Sequence, residues 1–276
     1  MIQESIEAYH ANQAVSHSKL ETFRRRPALY YKKYIQKSLP EIEPSAAFRI
    51  GSAVHCSVLE PITFMGRYAV KPEGIDRRTK IGKEDYAAFE TGANGKTIIS
   101  GEDLSLVQSM TEAVRDNPIA AQLLENGTPE ISWRTDGKIS LQCRTDWFSQ
   151  TGCELTNGRG YIVDLKTIDS LDDSYRGFER AVFSYGYHRQ AGFYLPLVTE
   201  KLGTPIHDSY FIAVEKCEPF GVAVYRLSDE AVACGQDETI KDLQRLKSCI
   251  ESGVWPNIDP VVRSVELPKW YTKEEQ

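Results

Sequence analysis

The segment Tyr161-Ile-Val-Asp164-Leu-Lys166-Thr sets a carboxylate and an ammonium two residues apart in an otherwise apolar run. In a strand, alternate side chains share a face. Asp164 and Lys166 therefore point one way, while Val163, Leu165 and Thr167 point the other. Burying such a pair is costly unless it has a use. A carboxylate can hold a divalent cation, and a neighbouring lysine can orient an attacking water. The same pair could also be a surface ion pair on an edge strand, and the D-x-K spacing alone does not separate the two. Asp146, in the preceding LQCRTDWF segment, adds a second carboxylate. On that strand Ile139, Leu141, Cys143 and Trp147 are expected on one face, and Gln142, Arg144, Asp146 and Phe148 on the other. Neighbouring strands would bring Asp146 beside Asp164. Two carboxylates so placed repel unless a cation lies between them, and hard oxygen ligands suit magnesium or manganese.

The elements that must position these groups follow from pattern. Residues 130–135 and 138–149 flank Asp136-Gly137, a hairpin signal. Strands are expected at 160–168, 208–216 and 221–228, a long helix over 172–202 and a last helix over 229–252. Upstream, helices are expected at 46–60, where Ile50, Val54 and Val58 form one stripe, and at 102–116, ended by Asn117-Pro118. Gly51, one turn before His55, leaves open space beside the imidazole. Residues 16–36 begin with a capping-box pattern, Ser18 and Glu21, and Pro27 divides them into two short helices. Residues 61–100, polar and broken by Pro61, Pro72 and glycines, read as a loop-rich insert. The expectation is one α/β domain over 1–276, a central mixed sheet flanked by helices. Residues 1–128 form a mostly helical N-terminal part, 129–228 the sheet core, and 229–276 a C-terminal helix and tail.

Composition excludes several classes. The 276 residues carry a net charge of −6 and no apolar run long enough for a bilayer span. The N-terminal MIQESIEAYH has neither the basic nor the apolar region of a secretory signal, so a cytoplasmic location is expected. Six scattered cysteines without a C-x-x-C pair argue against zinc or a disulfide framework. A negative total argues against a protein that coats DNA, but a local basic patch is all that a nuclease needs. Two such patches exist: Arg24, Arg25 and Arg26, and Arg77, Arg78, Lys80 and Lys83. Each is either a solvated face or a phosphate contact. His10 and His17 look incidental.

In motif order, SHSKLETFRRRPALYY, GSAVHCSVLE, PEISW, RTDWF, IVDLKT and YHRQAGFYL resemble the PD-(D/E)XK nucleases. The resemblance is to the RecB-like branch and, within it, to nuclease domains of the phage exonuclease VIII type (RecE). It runs from about Ser16 to Trp255 and implies a restriction-endonuclease-like core. It also implies metal ligands at His55, Asp146 and Asp164, with the Leu165 carbonyl as an extra ligand, a catalytic Lys166 and an acid near the metal at Glu130. Gln190 and Tyr194, four residues apart on one helix, and Tyr187 one turn earlier resemble residues that position the site and the DNA strand. His188 is a further candidate DNA contact. Arg26 stands where relatives with an iron–sulfur cluster place a cysteine, so no cluster is expected, and no Walker A segment implies ATP. The implied activity is a magnesium-dependent, processive 5′-to-3′ exonuclease on double-stranded DNA ends in the bacterial cytoplasm. Manganese would substitute. A homo-oligomeric ring and a single-strand annealing partner are implied with it. A structure-specific or single-strand endonuclease, and an inactive DNA-binding scaffold, are the alternatives on the same fold.

Overall fold

The computed structural model describes residues 1–40, 45–171, 177–259, 261–262 and 264–266. The helical N-terminal part comprises α1 (Ile6–Ala11), α2 (His17–Arg25), α3 (Pro27–Tyr30), α4 (Ala46–Leu59) and α5 (Phe64–Arg67). Strand β1 (Tyr68–Val70), helix α6 (Lys80–Gly92) and strand β2 (Thr97–Ile99) follow, then α7 (Gly101–Asp116) and α8 (Pro118–Leu123). The core is β3 (Thr128–Thr135), β4 (Leu141–Ser149), β5 (Tyr161–Ile168), α9 (Gly177–Tyr185), α10 (Tyr187–Leu202), β6 (Asp208–Glu215) and β7 (Val222–Arg226), closed by α11 (Asp229–Ser252). Among the described residues no helix is long and apolar enough to cross a membrane.

Caps set the helix starts. Ser16, not Ser18, begins α2, its hydroxyl accepting from the Lys19 amide at 3.3 Å. Ser100 and Asp103 form a reciprocal capping box on α7. The expected single helix over 172–202 is two helices. Residues 172–176 lie outside the described residues, and Gly186, left-handed at φ 71, separates α9 from α10.

The insert at 61–100 is not loop-rich. It is a small unit in which β1 and β2 pair in parallel with α6 crossing between them. Its helix escapes a periodicity reading because Gly82 is its one buried residue. Without an apolar stripe, the 3.6-residue signal is missing.

The five-stranded sheet has the order β3-β4-β5-β6-β7, with β5 and β6 parallel and the other neighbours antiparallel. A parallel pair needs a long crossover, and α9 with α10 supplies it. One face, with Ile162, Phe211 and Ala213, packs on α2, α10 and α11; the other, with Val163, Leu165 and Ile212, packs on α4 and α7. The sheet is thus mixed and covered on both sides, as expected. The tail returns to the N-terminal part, where Trp255 stacks on Tyr30 and Tyr31 at 5.9 and 5.0 Å.

Candidate active site

The sheet splits beside Asp146 and Asp164. Strands β4 and β5 pair only at Trp147–Ser149 with Tyr161–Val163. Beyond that point β4 pairs instead with Val15, just before α2, whose amide donates to the Ser140 carbonyl at 2.8 Å. Asp146 sits at the fork, where its Oδ2 accepts from the Leu165 amide at 2.9 Å in place of a ladder bond. A gap between strands admits side chains from both faces of the sheet.

The pleat of β4 is also interrupted there. Cys143 and Phe148 pack in the same core, and Trp147 packs in the opposite one, so strict alternation along β4 fails. The sequence expectation places Phe148 across from Cys143, and the structure corrects it. In register, Glu130 lies between Pro129, opposite Trp147, and Ile131, opposite Thr145. That sets Glu130 across from Asp146. Glu130 has φ 57, an uncommon left-handed conformation for a glutamate in a strand.

Through the split, helix α4 brings His55 to Asp146, with Nδ1 3.4 Å from Oδ2. At Gly51, where α4 passes β5, a Cβ would meet Thr167 Oγ1 at an ordinary 3.5 Å, so neither this approach nor space beside the imidazole requires a glycine. His55, Glu130 and Asp146 present ligand atoms all within 4.8 Å of one another. Two carboxylate oxygens and an imidazole nitrogen are a donor set that fits a divalent cation. The electrostatics agree. Burial and the charges of Asp164 and Glu130 push the Asp146 carboxyl well above the usual carboxylate range. Burial likewise lowers the His55 imidazole, and a neutral imidazole is the form that ligates.

Asp164 and Lys166 share the other side of β5, as alternation requires. Lys166 Nζ lies 2.5 Å from Asp164 Oδ2. Gln190 on α10 clasps both: its amide nitrogen donates to Asp164 Oδ1, and its Oε1 accepts from Lys166 at 3.3 Å. Burial acts to lower the Lys166 pKa, but Asp164 and Asp146 outweigh it, so the amine is held cationic. Tyr194 lines the same small cavity as Asp146, Asp164 and Gln190. Tyr187 lies under Lys166, whose Nζ is 4.7 Å from the ring centroid.

The expected DNA contacts divide. Arg25 and Arg26 stand exposed. Arg24 is occupied, binding Glu238 at 2.7 Å and Asp242 at 2.9 Å on α11. His188 is buried, with Nδ1 3.2 Å from the Val182 carbonyl and Nε2 3.8 Å from Glu238, among helices rather than in the cleft. Arg77 stacks on Tyr86 at 4.0 Å, and Arg78 pairs with Asp76 at 2.9 Å, both on the exposed surface of the insert.

His17, which looks incidental in sequence, is the residue that sequence reasoning misses. Val15's place in the sheet carries it beside Phe193 and Tyr194. Burial lowers its pKa to about 4, against the pull of Glu21 and with a push from Lys166. Its position inside the SHSKL element is the only signal the sequence offers.

Comparison with known proteins bears on the fold and the family. No curated protein matches the sequence. The crystal structure of a "Putative exonuclease" from Eubacterium rectale superposes with a TM-score of 0.65 at 13% identity, covering 97% of this chain and 96% of that one. At that identity the likeness establishes the fold. A second solved structure, SSO0001, aligns at a TM-score of 0.28 and 13% identity over 69% of this chain and 84% of its own, and carries no argument. A family model described as "PDDEXK-like domain of unknown function (DUF3799)" matches residues 16–259. The mixed sheet flanked by helices is that of a PD-(D/E)XK-like fold, and the chain belongs to this PDDEXK-like family.

Proposed function

We propose that this chain is a metal-dependent deoxyribonuclease that hydrolyses phosphodiester bonds. The observation that carries the reading is the convergence of His55, Glu130 and Asp146 within 4.8 Å beside the Asp164–Lys166 pair. His55, Glu130 and Asp146 would hold a divalent cation, magnesium or in its place manganese, with Asp164 and the Leu165 carbonyl as further donors. When bound, such an ion polarises the phosphate and lowers the pKa of a water. The residues do the rest. Lys166 stays cationic and offsets the negative charge that develops on the phosphate oxygens. Gln190 fixes the Asp164–Lys166 geometry through its two hydrogen bonds. Tyr194 lines the cavity beside them.

The resemblance to phage-type recombination nucleases favours a processive 5′-to-3′ exonuclease on double-stranded ends. It would act as a ring of copies beside a single-strand annealing protein. An endonuclease on single strands or branched structures is the second reading, and an inactive DNA-binding scaffold the third. The scaffold is disfavoured by the presence of Asp146, Asp164 and Lys166 in one site. Linear duplex labelled at either the 5′ or the 3′ end, with a closed circle as control, tests all three in magnesium and in EDTA. Magnesium-dependent release of the 5′ label with the circle intact is expected. A cut circle selects the endonuclease, and an inert wild-type protein selects the scaffold. Wild-type activity in Lys166→Ala or Asp164→Ala would refute the site.

A further inference from the structure

On an unbroken helix, residues two apart do not face each other. Tyr185 and Tyr187 nevertheless stack, with centroids 5.7 Å apart and planes 26° from parallel. The break at Gly186 makes this so. Its left-handed backbone ends α9 and starts α10, folding the Tyr185 ring back onto Tyr187. A Cβ there would fall 2.3 Å from the guanidinium of Arg189, which is itself held by Glu21 at 2.6 Å. The stack continues inward, with Tyr187 on Phe211 at 5.3 Å and 20° and with Lys166 Nζ over the Tyr187 ring. Outward, it ends at Tyr185, which is 67% exposed. A row of rings thus runs from the solvent to the lysine beside Asp164, and its last ring keeps an open face.

We propose that Tyr185 is a stacking platform for an unpaired nucleobase of the strand held at the Lys166 site, so that the strand in the cleft is bound unpaired. This rests on the nuclease reading and names the substrate form for it. Continuity with Lys166 argues for a base rather than a protein side chain. The phosphate that Lys166 would neutralise and the base on Tyr185 belong to one strand. Every base has a π-face, so the platform is indifferent to sequence. A base still stacked in a duplex could not lay its face on Tyr185, which is why the bound strand must be open at this point.

The test is a binding cycle in calcium, read by fluorescence anisotropy. A single-stranded oligonucleotide is compared with an all-abasic strand of equal length, each against wild type, Tyr185→Ala and Tyr185→Phe. Tyr185→Ala should weaken binding of the base-bearing strand on the order of 10-fold. It should leave the abasic strand within about 2-fold, and Tyr185→Phe should behave as wild type. Equal loss on both strands, or no loss on either, overturns the platform. Cleavage in magnesium separates this from the parent reading. A wild type that cleaves but shows no coupling refutes the platform alone. A wild type that shows the coupling but never cleaves refutes catalysis and leaves the platform standing. A wild type that binds neither strand and cleaves no DNA overturns both.

Discussion

Replacing Asp146 with Asn should stabilise the metal-free protein and abolish its response to metal. The ligand atoms of Glu130 and Asp146 lie within 4.8 Å of each other, and two full charges at that separation repel by about 3.5 kcal/mol at an effective dielectric of about 20. Asp164 adds to the crowding, while Lys166 opposes it. The folded-state pKa of Asp146 is raised by burial first, then by Asp164 and Glu130. The native chain therefore keeps a proton that the unfolded chain releases. Stability from this group is present below the unfolded pKa and is lost as pH rises through the raised one. Asn carries no charge and still offers Leu165 an amide oxygen as acceptor. At pH 8 without metal, Asp146→Asn should gain about 1–3 kcal/mol, the part of the repulsion left uncompensated by Lys166 and by Arg144, which pairs with Glu130. That is a rise of roughly 2–4 °C in Tm for each kcal/mol. Wild type in magnesium at 100 times Kd should gain about 2.7 kcal/mol, and the variant should gain little of it. Scanning calorimetry at pH 5 and pH 8, with and without magnesium, reads both effects. A variant less stable than wild type at pH 8 without metal would refute the crowding argument. An undiminished magnesium shift would remove Asp146 from the ligand set.

Four other outcomes follow from the same geometry. Gln190→Ala frees both members of the Asp164–Lys166 pair and should lower kcat by about 10- to 100-fold with little change in substrate affinity, checked by steady-state cleavage kinetics. Arg144 is 8% exposed and ion-paired to Glu130 at 2.5 Å; Arg144→Ala should cost about 3–5 kcal/mol in urea unfolding, because it strands a charge. Neutralising Arg25 and Arg26 should weaken DNA binding and reduce the log–log salt slope by about one for each phosphate left without its arginine, whereas Arg24→Ala should lower Tm instead, since its partners are Glu238 and Asp242.

Local rules were enough for part of this molecule. The two-residue period of a strand put Asp164 and Lys166 on one side of β5 without any tertiary information. The expected last helix over 229–252 is α11, Asp229 to Ser252. Alternation along β4 failed where the strand meets Glu130, because the irregularity arises from the pairing of two strands and not from either sequence alone. The long helix failed at Gly186 for a related reason. A lone glycine is tolerated in a helix, and only its left-handed backbone in the folded chain shows that it is a break.

What the sequence determined was the set of reactive side chains and their local facing: a carboxylate and an amine on one strand, a second carboxylate on the strand before it, a histidine on an apolar helix. Which of them meet depends on the folded chain. His55 and Asp146 are 91 positions apart and touch because β4 and β5 part company and α4 lies across the opening. Arg24 is withdrawn from the exposed basic run, and His17 is carried into the neighbourhood of Lys166, because their partners come from α11, α10 and β4. The energy of a charge depends on every charge and dipole within several ångströms. Those neighbours are assembled by long-range packing, which no window of adjacent residues contains.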